Sequence, residues 1–195
     1  MRVSVVVLSQ NLGELLDALI CVAETLVALA SIGIMHRDIR WANVFHAFSL
    51  SSPSSDHHYD QRPFSREWVL FDFEYAARVP QPAFAAHTLT PGNHAPEMVH
   101  VDNYQQNNNG ASNTATIDYT ERPHGTAVDI WGLGYLMQNA QVDIPTSHAA
   151  DLQQLQMDCL QRIPEERPTA EECLQRLRAL QKQPQSTEKD IEWLA

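Results

Sequence analysis

Lysine is almost missing from this 195-residue chain: Lys182 and Lys189 are the whole supply, and 13 Lys+Arg stand against 24 Asp+Glu for a net charge of −11. So acidic a balance excludes a general nucleic-acid or anionic-membrane binder, since both need clustered cations to neutralise phosphate. Cysteine is scarce as well. Cys21, Cys159 and Cys173 form no C-x-x-C pair, which argues against a disulfide framework or zinc ribbon and makes a reducing compartment, cytoplasmic or nuclear, the expectation. Long apolar runs are missing too: residues 15–34 come nearest to a membrane span, but Asp17 and Glu24 interrupt them, and each would be costly at mid-bilayer. The apolar start at residues 1–8 is short and no small-residue cleavage site follows, so the chain is read as not secreted.

What is present suffices for a packed core. Hydrophobic residues make up 44% and charged residues 19%, close to soluble globular averages, and the length fits one domain. From Leu12 the apolar positions Leu12, Leu15, Leu16, Leu19, Ile20, Val22, Ala23, Leu26 and Val27 recur at spacings of three and four. That period predicts a helix buried over most of its circumference, ended by Gly33. Val44-Phe45 and Trp68 to Phe71 are short β-branched and aromatic runs, predicted to pair as a small hairpin. Residues 48–66 are rich in Ser and Pro, and 102–125 hold the run Gln105-Gln106-Asn107-Asn108-Asn109-Gly110; both are predicted to be polar insertions. Helices are expected over 128–137, 149–162 and 169–180, the last with Thr169 as N-cap and Glu172 completing a capping box. The predicted class is α+β, mainly α. A zinc site at His57-His58 is disfavoured, because no third or fourth ligand accompanies the pair.

The chemical signal is concentrated in His36-Arg37-Asp38-Ile39-Arg40-Trp41-Ala42-Asn43, between the long helix and a strand. This is H-R-D-x-x-x-x-N. Asp72-Phe73-Glu74 follows the second strand in place of D-F-G, then Ala95-Pro96-Glu97, Asp129-Ile130-Trp131-Gly132-Leu133-Gly134 and Arg167-Pro168-Thr169. A single Asp or Asn in a turn is commonly just a backbone cap; the ordered set reverses that reading. The sequence resembles the C-terminal lobe of a eukaryotic-type protein kinase domain over about residues 13–180.

That resemblance implies a C-lobe over 12–182, a helical bundle with a small hairpin at the catalytic loop, preceded by a hinge remnant over 1–11 and followed by a tail over 183–195. It implies ATP and Mg²⁺ as cofactors and a protein Ser/Thr hydroxyl as acceptor. Asp38 would orient that hydroxyl and take its proton, Asn43 and Asp72 would hold magnesium, Arg40 would contact the γ-phosphate, and Phe45 would lie under the adenine. Scaffold roles fall to His36, packed rather than acting as a base; to Arg37 and Thr90, linked to the activation loop and to Asp38; and to Asp129, bonded to the His36-Arg37 turn. Glu97 and Arg167 would form a buried ion pair.

The Gly-rich turn, strand lysine and helix glutamate that cradle phosphates in this family are not found in these 195 residues, and both lysines follow the last motif. Glu74 also replaces a glycine whose conformational freedom a carboxylate side chain lacks. The expectation is therefore an ATP- and magnesium-dependent protein kinase domain, truncated and weak by itself. The alternative is an impaired kinase-like module that binds a regulatory partner. A small-molecule kinase of the choline or aminoglycoside type is disfavoured by Ala95-Pro96-Glu97 and Arg167-Pro168-Thr169.

Overall fold

A computed structural model describes residues 11–48, 66–85, 89, 93–100 and 123–184. Helix α1, Leu12–Ser31, starts where the Asn11 side chain accepts the Glu14 N–H at 3.0 Å, satisfying one of the donors that every helix start leaves over. It ends as the spacing predicts: Ile32 and Gly33 donate back to Leu29 and Ala30, with Gly33 at φ 68° in the left-handed region. Leu15, Leu16, Leu19 and Val22 are wholly buried.

Three two-stranded sheets follow among the described residues. β1, Ile34–Met35, pairs antiparallel with β4, Ala77–Arg78. β2, Val44–Phe48, pairs antiparallel with β3, Arg66–Leu70, in the register Val44↔Leu70; this is the expected hairpin, with Phe71 just outside it. β5, Phe84–Ala85, pairs parallel with β6, Val99–His100. Neither of the other two sheets has a periodic sequence signal, since two residues are too few to alternate.

Helix α2, Ala127–Gln138, is buried on nearly all sides, and α3, Thr146–Cys159, packs against it. α4, Ala170–Lys182, lies along α1 with Arg178–Glu24 and Gln181–Asp17 bonds of 2.6 Å at the rim. Thr169 and Glu172 form the expected capping box. The α3 boundaries differ from the predicted 149–162: Pro145 offers its carbonyl to both His148 and Ala149, which starts the helix early. It stops early because the carbonyls of Gln161 and Arg162 accept from the Arg167 guanidinium instead of continuing a helix. Cys159 and Cys173 meet at 3.7 Å between α3 and α4 as buried free thiols, and their hydrogen bond, with burial, pushes the Cys159 thiol up from its ordinary pKa. No described helix is long and apolar enough to cross a membrane.

Gly132 lets α2 approach the loop after β1. A Cβ there would lie 2.5 Å from the Ile39 Cβ, a separation that packed carbon atoms do not adopt. Gly132→Ala gains about 1 kcal/mol of helix propensity, yet should lose about 1–3 kcal/mol net through overpacking. Urea unfolding checks this; unchanged or increased stability would contradict the close approach.

Candidate functional site

The turn joining β1 to β2 holds the candidate residues His36 to Asn43, and α2 shapes it. Arg37 has φ 68°, a conformation a side chain resists by about 1–2 kcal/mol. Asp129 holds it there: one carboxylate oxygen accepts the His36 N–H and the other the Arg37 N–H, both at 2.7 Å. Complete burial raises the Asp129 carboxyl to about 6 in spite of those two donors, which favour the charged form. Between the ordinary value of 3.8 and about 6 the folded chain therefore binds this proton more tightly than the unfolded chain does. The resulting stability is present below that window and lost as pH rises through it. His36 and His124, both lowered chiefly by burial, act in the opposite sense, losing stability as pH falls below their ordinary 6.5. Asp129→Asn isolates the first effect. The stability it loses should be larger at about pH 4 than at about pH 7, read by urea unfolding of both proteins; a loss that shrinks on acidification would contradict the assignment.

His36 is fully buried. Its Nδ1 accepts the Asp38 N–H at 3.3 Å, so in the neutral ring Nε2 carries the proton and donates to the Phe71 carbonyl at 3.1 Å. It is a packed link between the loop and the segment after β3. Phe73 leans on its ring at 4.7 Å.

Asp38 sits at the centre, its side chain 8% exposed. Asn43, in the 3-10 turn Trp41–Asn43, donates from Nδ2 to the Asp38 carbonyl at 2.9 Å and to its Oδ2 at 2.8 Å. Both amide hydrogens are thereby committed, leaving Asn43 Oδ1 as the acceptor end of the group. Arg40 Nε reaches the same Asp38 Oδ2 at 3.1 Å. On the other side, His94 Nε2 stands 3.8 Å from Oδ1.

The segment after β3 is stitched to this loop. The Phe71 N–H donates to the Asn43 carbonyl at 3.0 Å, which places Asp72 next to the hairpin end. Phe45, half-buried, packs its ring 4.0 Å from that of Phe71. Asp72, not Glu74, takes the left-handed conformation, at φ 66°. The conformational cost expected of Glu74 is thus corrected: its backbone needs no glycine, and its N–H donates to Asp72 Oδ1 at 3.4 Å.

Arg37 donates from Nε to the Tyr75 carbonyl at 2.5 Å. Glu97 and Arg167 pair through two parallel bonds of 2.6 and 2.8 Å, and the Arg167 guanidinium lies 5.1 Å from the Trp131 ring centre. Thr90, His57, His58, most of the two polar insertions, residues 1–10 and residues 185–195 lie outside the described residues. Sequence reasoning missed His94, Phe71 and Tyr75: the first faces Asp38, and the other two act through backbone groups, for which side-chain identity is no signal.

A magnesium ion needs oxygen donors, and the Asn43 amide oxygen with the Asp72 carboxylate suits it. No cluster of three His, Cys, Asp or Glu groups is placed to hold a metal among the described residues, so any ion here would share its shell with phosphate oxygens and water. Two clefts of about 360 Å³ lie elsewhere, flanking the Glu97–Arg167 pair and containing none of Asp38, Asn43 and Asp72.

No family model matches the chain. It is similar to Crinkler effector protein 8 of Phytophthora infestans, 35% identical over 168 residues that cover 86% of this chain and 22% of that protein. The chain thus spans about a fifth of the length of the curated relative it matches.

Proposed function

We propose that this chain is the catalytic-loop half of a protein-kinase-type phosphotransferase, moving the γ-phosphoryl group of ATP to a protein Ser/Thr hydroxyl. One observation carries the reading: Asn43 spends both amide hydrogens on Asp38 while its own carbonyl takes the Phe71 N–H. That puts Asn43 beside Asp38 and beside the chain segment that leads into Asp72, which supports reading Asp38 as the carboxylate for the hydroxyl and Asn43 with Asp72 as oxygen donors for a cation. Bound magnesium would supply charge neutralisation at the phosphates. Within the protein, Asp38 aligns the acceptor and receives its proton, Arg40 offers its remaining guanidinium N–H groups to phosphate oxygens, and the Phe45–Phe71 pair offers an apolar platform for the base.

Assayed by themselves, these 195 residues are expected to turn over below the ~1 s⁻¹ low end for kinases, because they hold no lysine before residue 182 and no Gly-rich turn. Glu74, a second carboxylate two residues from Asp72 where the motif has glycine, favours a second reading, a kinase-like module that binds a partner without transferring phosphate. The relative's name, an effector protein, states no chemistry and separates neither. Transfer of radiolabelled γ-phosphate to serine peptides, dependent on both magnesium and Asp38, tests the first reading; labelling equal in wild type and Asp38→Asn, or none at all, would leave the second.

A further inference from the structure

We infer that Cys159 and Cys173 form a modification site, at which a small disulfide oxidant such as oxidised glutathione joins them into an intrachain bridge that staples α3 to α4. The two thiols lie on different helices with their Sγ atoms 3.7 Å apart. A disulfide bond is about 2.05 Å long, so each sulfur has to move about 0.8 Å to form one. Both residues are wholly buried and reduced. Helix α2 packs hard against the first of them: a Cβ added at Gly134 would lie 2.8 Å from the Cys159 Cβ, which fixes its place beside α4. Cys21, on α1, stands outside the pair, its Sγ donating to the Trp68 carbonyl at 2.9 Å. None of Asp38, Asn43 and Asp72 takes part, so the inference is independent of the phosphotransferase reading.

Enclosed thiols react only when the helices part. While they are packed, their mutual hydrogen bond and burial keep the Cys159 thiol protonated, and the thiolate is the form that attacks a disulfide. Local opening along the α3–α4 contact breaks the rim bonds of Arg176 to Asp158 at 2.6 Å and of Gln183 to Asp151 at 3.1 Å and lets one sulfur ionise. That thiolate attacks the small disulfide, whose S–S bond breaks and releases one thiolate. The second cysteine then attacks the protein sulfur of the mixed disulfide and expels the other thiolate. The two protons lost by the cysteines end on the two released thiols, so one disulfide is reduced as the other forms. Reclosure brings the two sulfurs back to neighbouring positions, which favours the bridge over a lasting adduct. The bridge joins residues 14 positions apart and encloses Arg167, the partner of Glu97. By restricting the unfolded chain it adds stability.

The test exposes the full chain to oxidised glutathione in urea just below the unfolding midpoint, removes both, alkylates the remaining thiols and maps the peptides by mass spectrometry. Wild type should yield a linked Cys159–Cys173 peptide pair, and its Tm should rise by about 5–10 °C, returning to the starting value on reduction with dithiothreitol. Cys21→Ser should link to the same extent. Cys173→Ser should neither link nor gain in Tm. Glutathione retained on Cys159 or Cys173 as the end product, a bridge from either of them to Cys21, or recovery of both as alkylated thiols after prolonged exposure would overturn the inference. So would a linkage that leaves Tm unchanged or lowers it, because a bridge that strains the fold does not staple it.

Discussion

Arg167→Ala is expected to lower folding stability by about 3–5 kcal/mol, the usual cost of removing one partner from a buried ion pair. Every donor of the guanidinium is committed. Nε donates to the Gln161 carbonyl at 2.7 Å, Nη1 to Glu97 at 2.6 Å and the Ala127 carbonyl at 2.9 Å, and Nη2 to Glu97 at 2.8 Å and the Arg162 carbonyl at 3.4 Å. The side chain is fully buried and its partner 5% exposed, so water cannot replace what is lost. Alanine would strand the Glu97 carboxylate and three carbonyls together. With total stabilities of about 5–15 kcal/mol usual for a domain, the variant should be close to unfolded at 37 °C-like conditions and show a sharply lowered urea midpoint. Arg167→Lys keeps the charge but not the two-pronged geometry, and should still lose about 2 kcal/mol. A loss below about 1 kcal/mol for the alanine variant would show that the pair is not buried as described.

Asp38→Asn should reduce phosphoryl transfer by about 10²- to 10⁴-fold, the range for losing a positioned proton acceptor, with folding stability nearly unchanged. The two halves of that statement follow from the same contacts. An asparagine can keep its carbonyl oxygen where Oδ2 accepts from Asn43 and Arg40, so the loop stays in place. Its NH₂ group then occupies the Oδ1 position and, in the proposed reaction, would offer the acceptor hydroxyl a donor where it needs an acceptor. Steady-state transfer with matched urea melts of both proteins separates chemistry from folding. Equal rates would remove Asp38 from its role.

The parts of this architecture visible in the sequence are those set by local chemistry. The apolar period of α1, its stop at Gly33, the Thr169–Glu172 box and the β2–β3 hairpin all depend on residues within a few positions of one another, and the structure has each. The bond from Asp129 to the His36-Arg37 turn and the Glu97–Arg167 pair span 92 and 70 residues; they came from the family pattern, not from periodicity. What stayed hidden was decided by tertiary approach. Nothing in the local sequence marks His94 as the neighbour of Asp38, or Gly132 as the point where α2 meets Ile39. The left-handed backbone of Asp72 has no local signal either: the glycine position of the motif is Glu74, two residues later, and it is Asp72 that takes the positive φ.

The central claim is that Asn43 and Asp72 jointly face a nucleotide-bound cation. Paramagnetic Mn²⁺ in place of Mg²⁺ tests it without requiring turnover or tight affinity, because it broadens the NMR signals of nearby nuclei even when binding is weak. With substoichiometric Mn²⁺ and excess ATP, the backbone and side-chain resonances of Asn43 and Asp72 should broaden first, those of Leu177 in α4 should stay sharp, and Asp72→Asn should suppress the effect. Broadening that ignores ATP and spreads over exposed carboxylates such as Glu165 and Glu166 would contradict it.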